Sequence, residues 1–119
     1  MKENLIKTKS FQFALHSISI YKSMLLQKEF IISKQFIRSS TSIGANVQEA
    51  DAGISKKDFV AKMSIASKEA RETLYWLNLL ESSDLVKLEL KEIKKECEEI
   101  VRILTAVVKT CQTQLNIKN

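Results

Sequence analysis

The residues able to do chemistry are few and scattered. One histidine (His16), two cysteines (Cys97 and Cys111) and the carboxylates Glu49, Glu69 and Glu72 are the groups to weigh. Catalysis by nucleophile and base needs at least two such groups in contact. No Asp, Glu or Cys lies within one helical turn of His16, which reads as structural or solvated. Metal centres in helical bundles use Glu-x-x-His pairs repeated on partner helices, and a single histidine cannot supply them; Cys-x-x-Cys is absent as well. Phosphate loops place glycines before a helix, a pattern to which neither glycine, Gly44 or Gly53, belongs. The expectation is a protein that is not an enzyme, with no cofactor and no resident metal. The one arrangement left open is an all-carboxylate metal site assembled from Glu49, Glu69 and Glu72.

The elements that must position these groups are helices. The 119 residues suit a single domain, 1–119, and hold no proline and two glycines, which removes most strand and turn punctuation. The spacing predicts an all-α, up-and-down antiparallel four-helix bundle with helices at about residues 10–27, 33–52, 56–81 and 88–115. In the first helix Phe11, Leu15, Ile18 and Leu25 read as core. Phe13, Ile20 and Met24 line nearly the opposite side and read as an oligomer contact. The second helix has Ser33 as its expected N-cap, a seam of Phe36, Ser40, Ile43, Val47 and Ala50, and Gly53 as its expected C-cap. A separate stripe of that helix, Arg38, Ser42, Asn46 and Glu49, is polar throughout.

Ser55 caps the third helix, with Asp58 in its first turn and Phe59, Met63, Ala66, Ala70, Thr73, Leu74 and Leu77 in its core stripe. Glu69 and Glu72 flank that stripe, and a carboxylate so placed needs a partner; Arg38 of the neighbouring helix is the natural one. The last helix is the cleanest pattern, with Leu90, Ile93, Cys97, Ile100, Leu104, Val108, Cys111 and Leu115 on one side. At about 1.5 Å rise per residue, Cys97 and Cys111 stand roughly 21 Å apart, so they read as reduced core residues and not as a disulfide.

No apolar run approaches the roughly 18 residues that span a bilayer, and the first residues lack a signal-peptide core, so no membrane partner and a cytoplasmic location are expected. The formal charge is +5, and the whole excess lies in residues 1–48, since residues 49–119 hold twelve basic and twelve acidic side chains. A polyanion such as RNA or DNA is therefore a permitted partner, with Lys7, Lys9, Lys22 and Lys34 as candidate contacts.

Residues 38–50, RSSTSIGANVQEA, followed by Ser55-Lys56-Lys57-Asp58-Phe59 and by residues 65–77, IASKEARETLYWL, resemble the bacterial four-helix-bundle family encoded in intervening sequences of 23S rRNA genes. The distinctive positions match at Arg38, Ser42, Asn46, Glu49, Glu69 and Glu72. One departure is Ala50, where the family commonly has glycine. The resemblance implies a homopentamer. A relative in the family is the accessory protein of diversity-generating retroelements, which binds reverse transcriptase and nucleic acid. Two functions are thus expected: an oligomeric RNA-binding accessory protein, or a protein-binding scaffold without a nucleic-acid role.

Overall fold

The computed structural model describes residues 2–118, with side chains from 5 to 116. Four helices follow in order: α1 (Lys2–Leu26), α2 (Ile32–Asp51), α3 (Lys56–Ser83) and α4 (Lys91–Lys118). They form a rod with extents of 51 × 23 × 23 Å. Each helix packs on its two sequence or cyclic neighbours, and none packs across the diagonal; contact is richest between α2 and α3 and sparsest between α1 and α4. Cross-helix pairs fix the directions. Lys9 meets Glu99 while His16 meets Glu96, and Arg38 meets Glu72 while Glu49 meets Lys62, so these neighbours run antiparallel.

The α4 seam follows its predicted periodicity at Leu90, Ile93, Cys97, Ile100, Leu104 and Cys111, which are buried; Val107 is buried where Val108 is expected, and Val108 and Leu115 are only partly buried. The first helix differs. It begins at Lys2, not near residue 10. Its buried face is Ile6, Ser10, Phe13, Ser17 and Met24, with Ile20 packed against the core, while Phe11, Leu15 and Ile18 are exposed. The expected core and outer faces of α1 are therefore exchanged, and Phe13, Ile20 and Met24 are not an outer contact. The cause is the two serines. Positions 6, 10, 13, 17, 20 and 24 are spaced 4, 3, 4, 3, 4, a heptad seam in which a count of apolar residues alone skips Ser10 and Ser17. A serine is small enough to be buried, and Ser10 Oγ donates to the Lys7 carbonyl at 3.2 Å. Gly44 of α2 sits against it: a Cβ there would come within 3.4 Å of the Ser10 carbonyl oxygen. Helices α1 and α2 approach closely because both residues are small.

The ends of α2 also differ from expectation. Ser33 lies inside the first turn, and Ile31 is the N-cap with no side-chain cap bond. Glu29 does the capping instead. Its carboxylate accepts the backbone N–H groups of Ile31, Ile32 and Ser33 at 3.1, 3.1 and 2.6 Å, and Ser33 Oγ donates to the Glu29 carbonyl at 2.7 Å. At the other end Ala52 is the C-cap, and Gly53 does not take a left-handed φ. Space is what favours glycine there, since a Cβ at Gly53 would come 3.1 Å from the Ala50 carbonyl oxygen. Helix α3 starts as predicted, with Ser55 Oγ accepting the Asp58 N–H at 3.1 Å. It ends at Asp84, the left-handed C-cap with φ 53°.

Candidate functional site

The polar stripe of α2 lies along its seam with α3. Arg38 bridges two carboxylates one turn apart on α3, donating through Nη1 to Glu69 Oε2 at 3.2 Å and through Nη2 to Glu72 Oε2. Trp76 Nε1 donates to the same Glu72 oxygen at 3.0 Å. The Glu72 hydrogen bond leads the effects that keep Arg38 protonated beyond its ordinary range. Burial works against the Glu72 charge, but the hydrogen bonds from Trp76 and Arg38 and the nearby guanidinium outweigh it and hold its pKa low. Farther along the stripe, Asn46 Nδ2 donates to the Ser42 carbonyl at 2.9 Å and lies 3.1 Å from Ser42 Oγ. Glu49 closes the row through Lys62 Nζ at 2.8 Å.

Beneath this surface row a second polar contact joins the same helices. Thr73 Oγ1 lies 2.8 Å from both Ser39 Oγ and the Glu69 carbonyl oxygen, fully buried. Charges and hydroxyls of α2 and α3 thus satisfy one another. The arrangement fixes the register of two helices, because a one-turn slip would leave a carboxylate and a buried hydroxyl unpaired. It leaves no converging metal ligands either: among the described residues no group of three or more His, Cys, Asp or Glu is placed to hold a metal ion, so Glu49, Glu69 and Glu72 do not come together.

The four candidate lysines do not form one patch of free charge. Lys7 Nζ pairs with Asp51 at 2.8 Å, and Lys9 Nζ pairs with Glu99 at 2.7 Å. Lys22 and Lys34 are exposed, and neither forms an ion pair among the described residues. His16 has a partner that no local pattern could disclose, Glu96 of α4, whose Oε2 lies 2.8 Å from Nδ1. Cys97 is a core residue: its Sγ lies 3.5 Å from the Ala70 carbonyl oxygen, and burial pushes its thiol up to about 12. Such a thiol is inert as a nucleophile.

The surface feature that the sequence concealed is the outer stripe of α1. Phe11 is 63% exposed, and Leu15 and Ile18, one and two turns on, are exposed as well. Phe11 and Ala14 border a shallow groove whose other wall is Thr41, Gly44 and Ala45 of α2. Large apolar side chains are also exposed on the diagonally opposite helix, at Ile65, Tyr75 and Leu79 of α3. No described helix is long and apolar enough to cross a membrane.

Fold and polar seam together define a class: antiparallel four-helix bundles whose second and third helices are locked by one arginine between two glutamates. Comparison with known proteins narrows it. Residues 2–106 match the family model for the 23S rRNA-intervening sequence protein, and this chain belongs to that family. It is also similar to a solved structure, a protein of unknown function from the S23 ribosomal protein family of Bacteroides thetaiotaomicron VPI-5482. The two share 44% sequence identity and a TM-score of 0.86, covering 92% of this chain and 99% of the other. A comparison with curated proteins finds no significant match.

Proposed function

We infer that this chain is a non-enzymatic protein of the cytoplasm that works as a homo-oligomer, with the outer stripe of α1 as a contact between copies. The observation that carries this reading is the exposure of Phe11, Leu15 and Ile18 in a row on one helix beside a small-residue groove. Contiguous apolar patches of this kind mark association surfaces. Because α3 does not touch α1, the Ile65, Tyr75 and Leu79 side chains lie on the opposite flank. Two different apolar flanks suit a head-to-tail contact, which closes into a ring when the rotation permits. A pentamer, as the family resemblance implies, is one such ring. Light scattering on the purified chain should then give a mass near five times the 13.6 kDa of one copy. The double variant Phe11→Glu/Leu15→Glu should run as a monomer with its helical circular dichroism intact. A wild-type monomer at micromolar concentration would overturn the reading.

A second reading, RNA binding by the assembly, is favoured by Lys22 and Lys34. Both are exposed without an ion pair among the described residues, and a ring repeats them, adding avidity. Lys7 and Lys9 already spend their charge on Asp51 and Glu99. The expected result, read by fluorescence anisotropy with single-stranded RNA, is binding that falls steeply with salt and is lost in Lys22→Glu/Lys34→Glu. Binding that ignores both salt and those substitutions would refute it.

A further inference from the structure

At the end of the rod where the α1–α2 and α3–α4 connections meet, large apolar side chains face water. Leu26 is 85% exposed and Ile31 77%, with Phe30 and Leu85 exposed beside them in sequence and space-sharing connections. The two connections are tied together: Gln27 Nε2 donates to the Lys87 carbonyl at 2.9 Å, and the Lys87 N–H donates to Gln27 Oε1 at 2.7 Å. The first of them is also held from within. Lys28 takes a left-handed φ of 65°, which turns the chain, and the Glu29 carboxylate points inward to its three backbone N–H groups. A connection that only joins two helices has no need of adjacent apolar residues in water. This one spends a nearly buried carboxylate on fixing the backbone that displays them. A surface set in advance loses little conformational entropy on binding, and covering its apolar area is favourable.

Charge narrows the occupant. With Glu29 satisfied internally, the free charges of the α1–α2 connection and its flanks are positive: Lys22, Lys28 and Lys34 form no ion pair among the described residues. The geometry points to this end of the bundle as a docking surface for a partner protein. The partner would present an amphipathic segment, with large apolar side chains against Leu26, Phe30 and Ile31 and carboxylates against Lys28 and Lys34. A nucleic acid fits less well, since three of the four exposed side chains are aliphatic and offer bases no stacking plane. The inference does not rest on the assembly reading, which concerns the flank of α1.

The test is selection of random peptides displayed on phage, about 15 residues long so that four helical turns can form. Selection is on the wild-type protein, with counter-selection on Phe30→Asp/Ile31→Asp, both sites being exposed and the variant's fold checked by circular dichroism. The expected peptides combine Leu or Phe with Asp or Glu, and they lose roughly tenfold or more in affinity on that variant and on Lys28→Glu/Lys34→Glu. The inference is overturned if no peptide depends on Phe30 and Ile31, or if those that do carry no acidic residues. It is equally overturned if the apolar substitutions instead abolish flotation with phosphatidylglycerol vesicles, binding of single-stranded RNA, or the oligomeric mass.

Discussion

Phe13→Ala should cost about 4 kcal/mol of folding stability, and Phe11→Ala, two residues away, under about 0.5 kcal/mol in the isolated subunit. Phe13 is 1% exposed, in the middle of the α1 seam, where truncation to Ala removes most of a large side chain from a close-packed interior and leaves a cavity. For a domain of this size the loss corresponds to a fall in melting temperature of about 15 °C. Urea unfolding is the direct measurement, since the midpoint should drop while the slope stays constant. Phe11 has little to lose within one subunit. Its truncation should appear instead as a lower midpoint only at concentrations where copies associate, because a contact between copies stabilises by mass action. Equal loss from the two substitutions in the isolated subunit would return Phe11 to the core and undo the orientation of α1.

That exchange of faces shows where the sequence could be read and where it could not. The α4 seam was legible because nearly every buried position is a large aliphatic residue or cysteine, so a 3,4 spacing of apolar residues and the real buried face coincide. The α1 seam was not, because Ser10 and Ser17 occupy two of its buried positions while Phe11, Leu15 and Ile18 stand in water. Counting small hydroxyl residues as possible seam members would have found it, since the 4, 3, 4, 3, 4 spacing from Ile6 to Met24 is unbroken. Ser17 remains notable, as its Oγ is buried without a hydrogen-bond partner among the described residues.

The candidate site divides in the same way. The bond from Arg38 to α3 was legible because Glu69 and Glu72 beside an apolar stripe demand a cation, and antiparallel packing of α2 on α3 supplies one; that a single guanidinium serves both carboxylates was not. Ion pairs between α1 and α4, such as Lys9 with Glu99, join residues from opposite ends of the chain. No local pattern encodes them. They remove charge from a surface that formal counting makes positive.

The same distinction between local and visible signals applies to Glu29, whose replacement by Ala should cost about 2 kcal/mol at neutral pH. The residue sits three positions before α2, outside the usual capping position, yet its carboxylate satisfies three N–H groups that the helix itself leaves open. Burial alone would raise its pKa, but the N–H groups of Ser33, Ile32 and Ile31, with the Ser33 hydroxyl, favour the charged form and hold it below the ordinary 4.5. A carboxylate whose pKa is lowered on folding adds stability that is fully present above its unfolded value and is lost as pH falls through its folded value. The stability gap between wild type and Glu29→Ala should therefore be constant from neutral pH down to about 5 and narrow as the solution becomes more acidic. Glu72, also lowered, titrates in both proteins and cancels from the difference. Glu29→Gln keeps one acceptor oxygen without the charge, so it should lose about half as much; its own gap to wild type should narrow at acid pH too, while its difference from Glu29→Ala stays constant, since neither variant titrates there. Urea unfolding of the three proteins across pH reads all of this. A gap between wild type and Glu29→Ala that persists unchanged at acid pH would mean that the carboxylate charge is not what holds the connection, and the preorganised display of Phe30 and Ile31 would lose its physical basis.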